Sequence, residues 1–341
     1  MIFRSKAPLR IGLAGGGTDV SPYSDLYGGA ILNATISLYA QATIEPLDEP
    51  KIILEALDRG ELETHEWSPA LPVNKHLDLL KGVYNRIQKD YGVPEGKGFK
   101  LSTYVDAPAG SGLGTSSTLV VAIIGAFAEM LRLPLGEYDM AHYAYEIERN
   151  DLQLAGGKQD QYAATFGGVN FMEFYAADKV IVNPLRIRQE YLFELENNLV
   201  LYYTSTSRES AEIIKKQRKN VTEKKDQSIE AMHQLRQQAQ QMKEALLKGQ
   251  LHSIGEILDF GYQQKRKMAE GIANPLLDEI YETAKKAGAT GGKISGAGGG
   301  GFMIFYCPRN TKYNVIAALE KFGGRHRNYQ FVKQGLKTWT I

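Results

Sequence analysis

The sequence contains a single cysteine, Cys307, and only six histidines. One cysteine cannot form an internal disulfide, which excludes a disulfide-stabilised miniprotein. The histidines are scattered without the Cys/His spacing typical of a structural zinc site. The formal net charge is +1, from 40 Lys and Arg against 39 Asp and Glu. This balance supplies no global field for nucleic acid or anionic lipid, so we expect neither as a partner and expect any bound anion to be held locally.

Long hydrophobic runs are also absent. The start, MIFRSKAPLR, lacks the charged head and apolar core of a secretory signal, and the longest apolar run, residues 119–128, is too short to span a bilayer. We therefore expect a cytoplasmic protein. With 341 residues, 43% of them hydrophobic, the chain can form a sizeable core in two domains or one large domain. The sequence does not specify an oligomeric state.

Hydrophobic spacing predicts a mixture of strands and helices. Alternation of apolar residues predicts strands at 30–45 and 100–105, and helical spacing predicts a helix at 77–91. Residues 118–131 are apolar nearly all round, which predicts a helix buried on most sides. Further strands are predicted at 166–174, 199–204 and 302–306, and further helices at 140–149, 275–287 and 312–322. Strands and helices fall into two sets, which favours two α+β domains with a boundary near residues 185–198.

Residues 209–249 form a tract dense in Lys, Gln and Glu. Its apolar residues recur three or four positions apart, which predicts one long helix with a single apolar stripe, made of Ile229, Met232, Leu235, Met242 and Leu246. Acidic and basic residues alternate along the tract, so we interpret it as a solvated helix face and not as a nucleic-acid-binding patch.

Glycines concentrate in four segments, at residues 12–19, 107–117, 156–160 and 291–301. In the second segment, Gly110, Gly112 and Gly114 run directly into three hydroxyl residues and the predicted buried helix. Glycine turns and a helix N-terminus present converging backbone N–H groups, which suits a polyphosphate. A P-loop is excluded because no lysine follows Gly114, and a Rossmann fingerprint is excluded by the glycine spacing. A flexible turn followed by a Ser/Thr helix cap remains the alternative.

The four glycine segments together resemble the motifs of the GHMP kinases, the family named for galactokinase, homoserine kinase, mevalonate kinase and phosphomevalonate kinase. APAGSGLGTSS resembles the family's P-x-x-x-G-L-G-S-S phosphate loop, APLRIGLAGGGTD its first motif, KISGAGGGG its third, and GGKQDQY the segment bearing its catalytic aspartate. The resemblance implies a two-domain α+β architecture, with a ribosomal-S5-like α/β domain at 1–190 and a ferredoxin-like α+β domain at 191–341. It also implies ATP as the phosphate donor, held by the loop residues Pro108, Gly110, Ser111, Gly112, Leu113, Gly114, Thr115, Ser116 and Ser117.

The resemblance further implies the catalytic and metal-binding residues. Asp160 matches the catalytic aspartate and Arg10 the basic residue beside it; a turn residue and a surface ion pair are the structural alternatives. Glu148, on the predicted helix 140–149, matches a Mg²⁺ carboxylate, with Ser117 as a second ligand. Glu146 is the weaker candidate because it points to another helix face, and a solvated glutamate is the alternative for Glu148.

The acceptor site of the resemblance lies at the end of the first motif and in the third. The implied substrate-binding residues are Gly17, Thr18, Asp19, Gly296, Ala297, Gly298 and Gly299. Asp19 has a structural alternative, as the N-cap of a helix starting near residues 21 and 22. Galactokinases carry an acid and a histidine where this chain has Gly16 and Gly17, which makes galactose contacts doubtful.

The first motif, GGKQDQY and TSTSRES look most like bacterial kinases that phosphorylate D-glycero-D-manno-heptose 7-phosphate at its anomeric carbon. That substrate needs a cation for its own phosphate, and Arg208, Lys158 and Arg149 are candidates. Two alternatives stay open at this point. One is a kinase for fucose or another neutral hexose, and the other is a nucleotide- or sugar-binding regulator without turnover.

Overall fold

A computed structural model describes residues 1–93, 96–206 and 210–341. The strands in this part of the chain are β1 (Phe3–Ala14), β2 (Gly29–Leu47), β3 (Lys51–Ala56), β4 (Glu61–Glu66), β5 (Gly98–Val105), β6 (Val169–Phe174), β7 (Val180–Pro184), β8 (Leu199–Tyr203), β9 (Gly291–Ile294), β10 (Phe302–Tyr306), β11 (Arg325–Arg327) and β12 (Lys337–Thr340).

The helices in the described residues are α1 (Tyr23–Tyr27), α2 (Asp78–Asp90), α3 (Thr115–Leu131), α4 (Glu137–Glu146), α5 (Gln159–Phe166), α6 (Gln189–Asn198), α7 (Ser210–Thr222), α8 (Asp226–Lys248), α9 (Ile254–Lys265), α10 (Pro275–Lys286) and α11 (Lys312–Leu319). A π-helical turn, Ile147–Asp151, follows α4 directly, and short 3₁₀ turns occur at Leu251–Ser253 and Glu320–Phe322. No helix in the described ranges is long and apolar enough to cross a membrane.

The strands form two sheets. The first has the order β12-β1-β2-β5-β3-β4, and β6 pairs with β2 and with β7. The long strand β2 serves both branches, because its first half pairs with β6 and its second half with β5. The second sheet has the order β11-β8-β10-β9, and all of its pairs are antiparallel. The chain is therefore a two-sheet α+β protein, as its sequence predicts.

Helix α3 lies against the first sheet and is covered by α2, α4 and α5 on its other sides. Its residues from Val120 to Phe127 are all buried, which explains why the sequence of this helix is apolar all round. The opposite face of β1 and β2 packs against α8 and the second sheet through a separate apolar cluster that includes Leu13, Met242 and Ile304. The two sheets thus share a core around β1, the strand that carries the first glycine motif.

Most predicted elements agree with the structure, and one is wrong. The tract 209–249, predicted as one long helix, is two helices, because the chain turns after α7 with Lys224 at a φ of 53°. Strand β6 begins only at Val169, because Gly167 and Gly168 form a turn at positive φ. The apolar stripe predicted for the tract lies on α8, where Met232, Leu235, Met242 and Leu246 are buried.

The end of the chain returns to the first sheet. Strand β12 pairs antiparallel with β1, and before it the backbone N–H of Val332 donates to Thr35 and that of Leu336 to Thr165. This segment follows the second sheet in sequence but completes the first one in space. The domain bounds 1–190 and 191–341 stay a prediction.

We expect removal of residues 329–341 to lower the thermal unfolding midpoint by roughly 5 °C or more, because it strips packed side chains and backbone hydrogen bonds from the first sheet. Removal of 337–341 alone is the matched control, since it deletes only the edge strand and should cost less. Differential scanning calorimetry measures both midpoints. Equal midpoints for the full chain and the longer deletion would show that the returning segment contributes nothing to stability.

Candidate active site

The second glycine segment forms a loop between β5 and α3. Gly110, Gly112 and Gly114 have φ values of 71°, 85° and 77°, a region that residues with a side chain rarely adopt. All three line a cleft together with the first residues of α3, Thr115, Ser116 and Ser117. The loop therefore presents backbone and hydroxyl groups to the cleft at a helix N-terminus, as predicted, and this geometry suits phosphate oxygens.

Three predicted loop residues do not line this cleft. The side chain of Leu113 is buried in the core cluster shared by the two sheets. Ser111 is fully buried, and its carbonyl accepts from the N–H of Phe302 at 2.8 Å. Pro108 is exposed, and its carbonyl accepts from the N–H of Ser111. These three residues support the shape of the loop. Their predicted contacts with a nucleotide stay a prediction, and their side-chain positions do not favour it.

Asp160 lies in the first turn of α5 and pairs with Arg10 of β1. The carboxylate oxygen Oδ1 is 2.6 Å from Nη2 of Arg10 and accepts a second bond from Nε at 2.7 Å. Arg10 is only 3% exposed, so the alternative of a surface ion pair is wrong. Its Nη1 donates to the carbonyl of Gly112, which ties the loop to the carboxylate. A Cβ at Gly114 would lie only 3.1 Å from Cγ of Asp160, so a larger residue at 114 would crowd the carboxylate.

Glu148 lies in the π-helical turn after α4. The residue is 2% exposed, so the alternative of a solvated glutamate is wrong. Its carboxylate accepts from the side-chain amide of Gln161, which also donates to Oγ of Ser117 at 3.1 Å. Burial raises the pKa of Glu148, while the neighbouring Arg149 opposes that shift. A buried carboxylate of this kind gains from a bound cation, because the cation offsets the lost hydration.

The geometry at Glu148 and Ser117 fits Mg²⁺. The described residues contain no group of three or more His, Cys, Asp or Glu side chains that could hold a metal ion. Mg²⁺ usually keeps only one or two protein ligands and takes its remaining oxygens from nucleotide phosphates and water. Glu146, the second candidate, instead bonds Nη2 of Arg86 at 2.7 Å and does not line the cleft. The two glutamates thus lie on different helix faces, as expected, with Glu148 alone lining the cleft, and their metal-binding roles stay a prediction.

Asp19 also faces the cleft, and it is 2% exposed. Its Oδ2 accepts from the backbone N–H of Lys158 at 2.9 Å and of Gln159 at 3.1 Å, at the start of α5. The alternative that Asp19 caps α1 is wrong, since the N-cap of α1 is Pro22. Burial raises the pKa of Asp19, and the charge of Asp160 adds to that shift. Asp19 therefore holds the start of the helix that carries Asp160 while lining the cleft, and its contact with an acceptor stays a prediction.

The other predicted acceptor residues divide into two groups. Gly17, Gly296 and Ala297 line the cleft. Thr18 does not, because its hydroxyl is 2.9 Å from the carbonyl oxygens of both Gly15 and Ala30 and supports β2. Gly298 and Gly299 also lie outside the cleft lining, because they pack against Ile272. The third motif contributes its first residues to the cleft and its later ones to the fold.

The three candidate cations for a substrate phosphate differ in their pairing. Lys158 is buried and forms ion pairs with Asp25 at 3.3 Å and Asp178 at 2.8 Å. Arg149 lines the cleft, but its guanidinium donates to the carbonyls of Leu154 and Gly157. Arg208 lies outside the described residues. Lys158 is thus already neutralised, which leaves it little capacity to bind a ligand anion.

Sequence reasoning missed two buried lysines behind the first motif. Lys265, at the end of α9, lines the cleft, and its Nζ donates to the carbonyl of Gly296. Lys293, on β9, donates to the carbonyl of Gly12 at 2.8 Å. The glycine-rich context of Lys293 was a usable signal, since it falls within the third motif. Lys265 gave none, because one lysine on a charged helix is normally solvated.

Comparisons with known proteins agree with this geometry. Residues 78–168 match the GHMP kinases N terminal domain, and residues 242–325 match the GHMP kinases C terminal domain. The D-glycero-alpha-D-manno-heptose 7-phosphate kinase of Campylobacter jejuni subsp. jejuni serotype O:2 is 48% identical over 338 residues, 99% of each chain.

Two solved structures cover nearly the whole chain. A D-glycero-D-manno-heptose 1-phosphate kinase from Bacteroides thetaiotaomicron superposes with a TM-score of 0.85 at 46% identity, over 99% of both chains. A putative sugar kinase from Campylobacter jejuni gives a TM-score of 0.82 at 48% identity, over 100% of this chain and 98% of the other. With both domain matches and a relative at this identity, the chain belongs to the GHMP kinase family and is a sugar kinase of that family.

Proposed function

We propose that this enzyme transfers the γ-phosphoryl group of ATP to the anomeric hydroxyl of D-glycero-D-manno-heptose 7-phosphate, with Mg²⁺, to give heptose 1,7-bisphosphate. The observation that carries the proposal is the convergence of the glycine loop, the Arg10–Asp160 pair and Glu148 in one cleft. The name of the C. jejuni relative supports the heptose 7-phosphate substrate. The product would feed nucleotide-activated heptose and surface polysaccharide, and a cytoplasmic location is part of the same proposal.

A second cleft beside the loop supports the placement of the nucleotide. It shares Thr115 and Ser116 with the first cleft, so the two meet at the start of α3. Its lining is rich in apolar side chains, including Leu79, Leu80, Val105, Leu119 and Leu152. An apolar slot joined to an amide-lined loop suits an adenine base with its phosphates directed toward Asp160. The sequence does not predict this slot, because its lining residues come from separate segments of the chain.

Glu148 and Ser117 are the residues that would hold Mg²⁺. Mg²⁺ supplies charge neutralisation at the nucleotide phosphates when it is bound. Gln161 orients both ligands, because its side-chain amide contacts each of them. Ligand positions fixed in this way are typical of metal sites with an ordered outer shell.

Asp160 and Arg10 act on the acceptor hydroxyl. Asp160 accepts a hydrogen bond from the hydroxyl, directs its oxygen toward the γ-phosphorus, and takes up the proton as the new O–P bond forms and the bond to the ADP oxygen breaks. Arg10 holds the carboxylate in place through two of its nitrogens and neutralises charge that develops on the phosphoryl oxygens. Because an anomeric hydroxyl is more acidic than an ordinary alcohol, the orienting role of Asp160 outweighs its role as a base.

The names of the two heptose kinase relatives differ in the position of the phosphate, which is at C7 in one and at C1 in the other. A sugar 1-phosphate has no free anomeric hydroxyl, so the mechanism above favours the 7-phosphate as acceptor. The decisive assay incubates the enzyme and ATP with heptose 7-phosphate, heptose 1-phosphate, unphosphorylated heptose, fucose and mannose, and identifies the products by mass spectrometry. We expect the bisphosphate from heptose 7-phosphate at the highest kcat/KM. Faster turnover of fucose or mannose would establish the neutral-hexose alternative, and no ADP release with any sugar would establish the regulator.

We expect Asp160→Asn to lower kcat by about 10²-fold or more with little change in the KM for ATP, because the amide keeps the shape but loses the charge that orients the hydroxyl. Steady-state kinetics with heptose 7-phosphate measure both constants. Asp226→Asn, an exposed carboxylate in the first turn of α8, is the control and should match the parent enzyme. Near-normal turnover of the Asp160 variant would remove that residue from the mechanism.

Glu148→Gln tests the metal site. Loss of the carboxylate should raise the Mg²⁺ concentration at half-maximal rate by about tenfold or more, because one of two protein ligands becomes neutral. Glu146→Gln is a matched control two residues away, since Glu146 pairs with Arg86 outside the cleft. Titrations of the initial rate with Mg²⁺ compare the two variants. An unchanged midpoint for Glu148→Gln, or an equal shift in both variants, would contradict the assignment.

A further inference from the structure

Lys265 has a buried charge for which the described residues supply no ion-pair partner. The residue is 3% exposed, and it forms no ion pair with any residue of the described ranges. Its ammonium donates to a single neutral group, the carbonyl of Gly296. Burial lowers the pKa of Lys265 to about 8, and the nearby Arg10 adds to that shift. Burying an unpaired cation is costly, so this position favours a ligand that supplies negative charge.

Lys265 lies close to the first-motif residues for which we propose contact with the acceptor. A Cβ placed on Gly16 would lie 3.7 Å from its Nζ, and the adjoining Gly17 and Asp19 line the same cleft. Residue 16 has no side chain, so the first motif places none beside the ammonium, whereas the Cβ position of Gly17 faces Met268. The charge of Asp19 raises the pKa of Lys265 and so opposes the effect of burial, but the two side chains form no ion pair.

A second lysine reinforces the positive field. Lys293 is buried behind the first motif, with its Nζ bonded to the carbonyl of Gly12. A Cβ on Gly16 would lie 4.0 Å from this Nζ as well, so both lysines approach the same glycine. Burial lowers the pKa of Lys293, followed in effect by the charges of Lys265 and Arg10. Each of these cations disfavours the charged form of the others, and an anion bound in the cleft would offset this repulsion.

The remaining anionic groups do not meet this need. Asp160 is committed to Arg10, which bonds it through two nitrogens. Glu148 bonds Gln161 and is 3.7 Å from Arg149. In the proposed reaction, Arg10 and the glycine loop hold the transferred phosphoryl group. The acceptor is then the remaining source of an anion for Lys265.

We propose that Lys265 binds the phosphate ester of a phosphorylated sugar acceptor, and that this contact makes the enzyme select sugar phosphates over neutral sugars. The inference rests on the proposed heptose 7-phosphate kinase function. It identifies the residue that binds the phosphate already present on the acceptor. It differs from the candidates named from sequence, because Lys158 is already paired and the guanidinium of Arg149 is bonded to backbone carbonyls.

The test compares Lys265→Met with Lys267→Met, an exposed lysine two residues further along the chain. Initial rates are measured with heptose 7-phosphate and with unphosphorylated heptose at saturating ATP. For Lys265→Met we expect the KM for heptose 7-phosphate to rise at least about tenfold, with the KM for neutral heptose and for ATP unchanged. Lys267→Met should match the parent enzyme with both acceptors.

A loss of kcat of the same size with both acceptors would overturn the proposal, because Lys265 would then act on the transferred phosphoryl group. An unchanged KM for heptose 7-phosphate would overturn it as well. If the parent enzyme phosphorylates only neutral sugars, the proposed heptose 7-phosphate function fails first, and that result is visible before any variant is made.

Thermal unfolding gives a second readout that is independent of turnover. Without ligand, Lys265→Met should unfold at a higher temperature than the parent at pH 7, because it removes an uncompensated buried charge. Heptose 7-phosphate should raise the midpoint of the parent more than that of the variant. An equal ligand-induced shift in both proteins would contradict the contact.

A complementary variant places an anion inside the protein. Gly16→Glu introduces a carboxylate near Lys265, and Gly16→Ser tests the effect of added bulk, since a Cβ at residue 16 meets no atom closer than 3.7 Å. We expect Gly16→Glu to weaken heptose 7-phosphate binding far more than Gly16→Ser does. Equal effects of the two substitutions would show that space, and not charge, controls this end of the cleft.

Discussion

The buried guanidinium of Arg10 is the interaction on which the site depends. It extends from β1, bonds Asp160 through two nitrogens and reaches the carbonyl of Gly112 with a third. A buried cation is tolerated only when its donors are satisfied, so these bonds fix the distance between the phosphate loop and the carboxylate. Oγ of Ser295 donates to the same Gly112 carbonyl at 2.7 Å, which adds the third motif to the assembly. Four distant segments are thereby held around one side chain.

The charges of the cleft are not balanced by the protein alone. Burial shifts the pKa of Asp19 and Glu148 upward and that of Lys265 downward, so each group loses hydration that its neighbours do not replace. These desolvated charges raise the free energy of the ligand-free protein. A metal ion beside the carboxylates and a phosphate beside the lysine would lower it again. The charged groups that destabilise the ligand-free protein are therefore also the groups that determine which ligands bind.

The sequence predicted the parts of the site that depend on local backbone geometry. Gly110, Gly112 and Gly114 could be identified because a run of positive φ values tolerates little else. It did not predict that Thr18 supports β2, nor that Lys265 is buried, because both outcomes depend on packing between segments far apart in the chain. The break at Lys224 was missed for a related reason. The hydrophobic spacing on both sides of it is helical, and only the turn itself differs.

The proposed selectivity at the acceptor end depends on the burial of its cations. A protein usually recognises an anion by adding a cation at the surface, where solvent weakens the contact. Here Lys265 and Lys293 are both buried beside Gly16, and Lys265 lines the cleft. A neutral sugar would leave the ammonium of Lys265 unpaired and desolvated, whereas a sugar phosphate would pair with it. Such a site discriminates against neutral sugars because their binding leaves a buried charge unpaired. This penalty gives more selectivity than one additional contact at the surface.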